Sequence, residues 1–260
     1  MYDGAPFRFN ELMSRNRFEN ILVALKLTEA VPPTYVDRFW EIRSLVDAWN
    51  KNMAENFSPS WVTCLDESMS KWLNKYTCPG FMVVPRKPWP FGNEWHSISC
   101  AKSGVMFAVE LREGKDQPSD IPKSFNDLGK TVGLLLRLTT SIWHTGRVVI
   151  LDSGFCVLKG IVELRRRGVF ASALIKKRRY WPKHIKGDEI RDHFVQREVG
   201  DVDALPGIMD GVSFHVYAMK EPNYVLSLMS TYGMLERKGK LKKHKWFKNG
   251  KKQTKNIQVS

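Results

Sequence analysis

Val148-Val149-Ile150-Leu151-Asp152-Ser153-Gly154 is a compact apolar run that stops on an aspartate and a turn. β-Branched residues over that length read as a buried strand, spanning about 147–151. A helical pattern follows over about 157–167, Gly168 ends it, and residues 169–175 give another strand. Two strands joined by a helical crossover pair in parallel. This unit sets the centre of the fold as α/β.

Working outward, residues 124–143 read as a helix with Leu128, Val132, Leu135 and Leu136 turned inward. Residues 94–100 and 105–111 are two strands joined at Lys102-Ser103-Gly104, a hairpin signal. Residues 81–84 form a short apolar run closed by Pro85, and the strand Trp61-Val62-Thr63-Cys64-Leu65 stops at Asp66-Glu67. Residues 213–219 and 224–229 give an antiparallel pair around Glu221-Pro222-Asn223. The expected core is a mixed sheet, parallel in one part and antiparallel in another, with helices packed on it.

Three segments follow. Residues 1–60 read as a helical segment. Ser14 caps a helix bearing Phe18, Ile21, Leu22 and Leu25, and Pro32-Pro33 interrupts. A second helix carries Phe39, Ile42, Val46, Trp49 and Met53 and ends at Ser58-Pro59-Ser60. Residues 61–232 form the core. Within it, residues 176–210 are polar and broken by Pro182, Gly187, Gly200, Pro206 and Gly207, which reads as a long insertion or loop. Residues 233–260 are aperiodic and lysine-rich, the composition of a tail disordered when free.

The chain has 260 residues, 43% hydrophobic and 26% charged, which suits a globular protein with a core of ordinary size. Its four cysteines show no CxxC spacing, and no apolar run has the length of a membrane span. The start carries no hydrophobic signal segment. The expectation is a reduced compartment, cytosol or nucleus, with no membrane partner. A net charge of +14 points to a polyanionic partner, nucleic acid first.

Asp66 and Asp152 each end an apolar strand, and that edge of an α/β sheet is where ligands bind. Neighbouring strands would place both carboxylates in one crevice, where they repel unless a cation lies between them. Magnesium suits such a pair, because it takes oxygen ligands and keeps positions open for phosphate and water. Strand-end aspartates also serve as turn and cap residues, and Asp152-Ser153-Gly154 before a helix fits a cap. Three basic runs stand out. They are Arg165-Arg166-Arg167, then Lys176-Lys177-Arg178-Arg179 followed by Tyr180-Trp181, and Lys242-Lys243-His244-Lys245-Trp246-Phe247. Basic residues mixed with aromatics suit phosphate contact and base stacking, and such runs also serve as nuclear import signals. The plainer reading of each is a solvated charged face.

Cys64-Leu65-Asp66-Glu67-Ser68-Met69, taken with Pro79-Gly80-Phe81 and with Pro85-Arg86-Lys87-Pro88-Trp89-Pro90-Phe91-Gly92, resembles the DE…M…PxKPxxxG signature of piggyBac-like transposases. Val149-Ile150-Leu151-Asp152-Ser153-Gly154-Phe155 and Leu164-Arg165-Arg166-Arg167-Gly168-Val169 continue the likeness, which covers roughly residues 7–232. The resemblance implies a ribonuclease-H-like core and cut-and-paste DNA transposition through metal-dependent strand cleavage and transfer. It implies Asp66 and Asp152 as catalytic and metal-binding residues for Mg2+ or Mn2+. It also implies Arg86 and Lys87 as contacts to DNA phosphate, a nuclear location, and DNA as partner, and it leaves a homodimer open. At Ser153 the family more often has asparagine. The family's third carboxylate, in a segment resembling YNxxMGGVDxxD, has no counterpart in these residues, so the core is read as truncated at its C-terminus. The expected activity is therefore lost, and a non-catalytic nucleic-acid-binding protein acting through its basic surface is the alternative.

Overall fold

In the computed structural model, residues 9–25, 39–73, 75–76, 78–85, 87–112, 123–176, 182, 185–233 and 241–258 are described. The N-terminal segment is helical, as expected. A short α1 (Phe9–Leu12) leads to α2 (Arg15–Ala24), whose first turn is capped by the Ser14 hydroxyl accepting the Arg17 N–H at 3.3 Å. No residue of α2 is buried, and Ile21, Leu22 and Leu25 keep their apolar surface exposed. α3 (Trp40–Asn56) docks on the sheet instead. Asn50 both donates to the Val109 carbonyl and accepts the Val109 N–H, each at 2.9 Å. Its side-chain amide thus completes backbone bonding on a strand edge.

Nine strands form one sheet. β1 (Val62–Lys71), β2 (Met82–Val83), β3 (Phe91–Cys100) and β4 (Met106–Leu111) pair antiparallel at one side of it. α4 (Lys130–Thr139) then crosses to β5 (Val148–Leu151), and α5 (Leu158–Arg166) crosses to β6 (Phe170–Leu174). β5 pairs in parallel with both β1 and β6, as the crossover pattern predicts. The helix expected over 124–143 is shorter, because Gly129, at φ 108, separates a 3-10 turn from α4.

One face of this sheet meets the helices. Leu65, Ile98, Phe107, Val149 and Leu151 pack with Leu135 and Leu136 of α4 and Ile161 and Leu164 of α5, all fully buried or nearly so. Gly160 lets the two helices approach, since a Cβ there would lie 2.7 Å from Leu135 Cδ1.

Three expectations need correction. First, β1 does not stop at Asp66-Glu67. Its ladder with β3 runs on from Asp66 opposite Ser97 to Lys71 opposite Gly92. The apolar pattern ends there, but the long partner strand keeps supplying hydrogen bonds. Second, residues 176–210 are not simply an insertion loop. They contain α6 (Gly187–His193) and β7 (Val202–Met209), and β7 joins the sheet beyond β8 (Val212–Lys220) and β9 (Val225–Ser230). Pro206, which cannot donate to a ladder, is tolerated because β7 is the last strand. Third, the lysine-rich tail forms an antiparallel hairpin of β10 (Leu241–Lys248) and β11 (Lys251–Gln258). Its turn is Asn249-Gly250, with φ of 50 and 72. Two positive φ values in a two-residue loop match the twist of a hairpin.

Candidate active site

The parallel ladder of β1 and β5 pairs Val62 with Val148 and closes at Leu65 opposite Leu151. One step further come Asp66 and Asp152. The two aspartates therefore leave adjacent strands at the same register. Side chains alternate across a strand, so Cys64, Asp66, Ile150 and Asp152 share the face opposite the helices. That face is open among the described residues: Cys64 and Asp66 are exposed, and Ile150 is 40% exposed. Toward the turn it precedes, the side chain of Asp152 accepts only from Ser153, the first residue of that turn, whose hydroxyl lies 3.4 Å from Oδ2.

The charges around the pair fit the juxtaposition. The protein surrounding Cys64, and then the charges of Asp66 and Asp152, hold its thiol above the ordinary range. Partial burial works against the charge of Asp152, but the Ser153 N–H and the Lys176 ammonium outweigh it and lower its pKa. Lys176 Nζ lies 3.4 Å from Asp152 Oδ1. Asp66 Oδ1 accepts the Glu67 N–H at 2.8 Å. Lys87 Nζ donates to the Glu67 carbonyl at 3.0 Å and lies 3.5 Å from the Glu67 carboxylate, so its counter-ion is the residue that follows Asp66.

The other basic residues divide. Arg166 pairs with Glu163 Oε1 at 2.6 Å and Arg167 with Glu163 Oε2 at 2.5 Å. Arg167 also lies over the rings of Phe125 and Trp143. Glu163 is buried and its pKa is lowered by Arg167 first. These two arginines neutralise the Glu163 carboxylate, and Arg166 stays exposed to solvent. Arg165 is exposed, with its guanidinium 4.4 Å from the Phe170 ring centre. Lys176 is exposed and serves as the counter-ion of Asp152. Lys242, Lys243 and Lys245 are exposed on β10. Arg86, Lys177, Arg178 and Arg179 lie outside the described residues. The partnership of Lys176 with Asp152 escaped the sequence reading, although a lysine two residues past the strand neighbouring β5 was its signal.

Two carboxylates in register on an open face fit an oxygen-liganded cation. They supply only part of its shell, since among the described residues no group of three His, Cys, Asp or Glu stands ready to hold a metal. Asp66 and Asp152 would be its protein ligands. The order β4-β3-β1-β5-β6, antiparallel then parallel with an aspartate on each central strand, defines a ribonuclease-H-like core.

The chain belongs to the Transposase IS4 family, whose model matches residues 2–259. Its fold is similar to that of a piggyBac transposase seen by cryo-EM in a synaptic complex with hairpin DNA. The TM-score is 0.63 at 17% identity, over 88% of this chain and 45% of that one. The chain thus spans less than half the length of that protein. Endonuclease V of Ciona intestinalis, crystallised with DNA, aligns with 74% of this chain and 83% of that one at 14% identity. Its TM-score of 0.29 is too low to bear on the fold. No curated protein matches the sequence. Transposases of this DDE type work with divalent metal ions.

Proposed function

We propose that this transposase-derived chain descends from a piggyBac-type enzyme that cut and joined DNA, and that residues 1–260 bind DNA without turning it over. The observation that carries this reading is the register of Asp66 and Asp152 with no third ligand beside them among the described residues. A divalent ion held there would polarise a phosphoryl oxygen and activate water or a 3′-hydroxyl. The two carboxylates would anchor it, Lys176 would compete for Asp152, and Lys87, paired with Glu67, would meet a DNA phosphate. With two anchors the ion is held weakly and an in-line attack is not enforced. The net charge of +14 supplies affinity for the DNA backbone independently of the metal. The proposed compartment is the nucleus, where the lysine runs would act as import signals.

The test uses a labelled DNA hairpin with magnesium or manganese. Salt-sensitive binding is expected to persist in the Asp66→Ala, Asp152→Ala double variant, with no metal-dependent cleavage by either protein. Turnover that Asp152→Ala abolishes would sink the non-catalytic part and mean that a ligand beyond the described residues completes the site. Absence of DNA binding at low salt would sink the rest.

A further inference from the structure

The β10–β11 hairpin is anchored by one of its two faces. Lys255 Nζ reaches Glu198 Oε2 at 2.8 Å and Asp201 Oδ1 at 3.0 Å. His244 Nε2 lies 3.4 Å from Glu221 Oε2, and Trp246 stacks beside His244. A Cβ on Gly200 would touch Ile257 Cγ2 at 3.1 Å. His244, Trp246, Lys255 and Ile257 are accordingly half-buried.

Strand alternation sends the other set outward. Lys243, Lys245 and Phe247 of β10 stand opposite Asn256, Thr254 and Lys252 of β11. All six are exposed, and Phe247 is 71% exposed. This face has cations on both strands, no acid, and one apolar ring near the turn. The anchored face engages Glu198, Asp201 and Glu221, and among the described residues no acid pairs with the outward lysines.

Topology places the hairpin on the same sheet edge as the aspartates. β5 and β6 point toward that edge together. β9 begins there, since Leu174 lies opposite Leu228, and β8 ends there, since Lys220 lies opposite Val225. Glu221, which meets His244, follows Lys220 directly. Three strand spacings, about 14 Å, separate β5 from β8.

We infer that the outward face of the hairpin, built on Lys243, Lys245, Lys252 and Phe247, is a docking surface for duplex DNA, seated along the edge that carries Asp66 and Asp152. This rests on the reading that the chain binds DNA. A two-stranded ribbon is one of the elements that the major groove of B-DNA admits. Lysines two residues apart on one face stand about 6.8 Å apart and meet backbone phosphates on the groove wall. Phe247 offers apolar contact to a thymine methyl, and Thr254 and Asn256 offer hydrogen bonds to base edges.

The experiment is fluorescence anisotropy of a labelled duplex with the full 260-residue chain across a salt series. Three proteins are compared: the unaltered chain, Lys243→Ala/Lys245→Ala/Lys252→Ala, and a control of equal charge loss, Lys102→Ala/Lys130→Ala/Lys159→Ala. All six lysines are exposed, and matching thermal melts establish that each protein is folded. The hairpin variant should lose about tenfold in affinity and about 2–3 in the log–log salt slope, near 0.9 for each phosphate no longer neutralised. The control should change little. Phe247→Ala should weaken binding with the slope unchanged. Equal losses in the two triple variants, or no loss in either, would overturn the assignment while leaving DNA binding in place. A larger loss for single-stranded than for duplex DNA would overturn the duplex as occupant. An unaltered chain that binds no DNA would remove the underlying reading itself.

Discussion

Manganese titrated into the chain and followed by calorimetry should give one weak binding event, and Asp66→Ala or Asp152→Ala should each erase it. The two carboxylates leave β1 and β5 at matching positions on one face, so an ion between them takes an oxygen from each. Removing either leaves one carboxylate with no partner. Affinity should then fall by about tenfold or more, at least the scale seen when a group supporting a metal ligand is removed. Lys176→Ala should act in the opposite sense. Its ammonium lies 3.4 Å from Asp152 Oδ1 with both side chains partly exposed. An exposed pair is worth about 0.2–1 kcal/mol, so releasing Asp152 should tighten the ion by up to about fivefold. Binding that survives both aspartate substitutions would separate the two residues functionally. So would a folded chain that takes up no ion at all.

Gly92→Ala should unfold the active edge more severely than any surface change. A Cβ on Gly92 would stand 1.7 Å from the Ser70 carbonyl oxygen and 3.0 Å from the Trp72 nitrogen. Those are backbone atoms of β1 and its continuation, and Trp72 N–H donates to the Phe91 carbonyl at 3.1 Å. The clash cannot be relieved by turning a side chain, so β1 and β3 must part at the end of their ladder. A cost of about 3–5 kcal/mol is expected, in the range of severe backbone and packing lesions. Gly104→Ala is the comparison, because nothing lies within 4 Å of a Cβ there and only its positive φ is strained. About 1 kcal/mol is expected for it. Urea melts giving the two variants equal losses would show that φ, not close approach, fixes Gly92. The glycine that closes the PxKPxxxG-like stretch thus has a packing reason of its own.

What the sequence disclosed follows from where its patterns are physical. Strands such as Val148–Leu151 and the helical face of Leu135, Leu136, Ile161 and Leu164 were legible because burial imposes a period on apolar residues. The aspartate pair was legible because each carboxylate interrupts such a run. β1 beyond Leu65 was not, because its length is set by the partner strand rather than by its own apolarity. β7 and the β10–β11 hairpin were hidden despite a shared signal. Their turns, Asp210-Gly211 and Asn249-Gly250, have positive φ at both residues, a local hairpin signal. Pro206-Gly207 masked the strand character of β7, and charged residues masked the alternation of β10 and β11. The commitment of Arg166 and Arg167 to Glu163 lay beyond sequence reading, because two basic residues look alike until the acid they face is located.

Cys64 turns the site into its own gauge. Of the four cysteines it alone is exposed; Cys78, Cys100 and Cys156 are buried. It stands two residues before Asp66, and its ionisation is opposed by the surrounding protein and then by both carboxylates. Only the thiolate alkylates, so this thiol is slowed by the same negative charge that would attract an ion. A cation settling between the aspartates lifts that brake. The rate of iodoacetamide labelling at Cys64 should climb as manganese is added and saturate with occupancy. Asp66→Ala should raise the rate without metal and flatten its response to it. A labelling rate indifferent to both would mean that the charges of the pair do not reach the thiol, and a covalent tag would then report nothing about the ion.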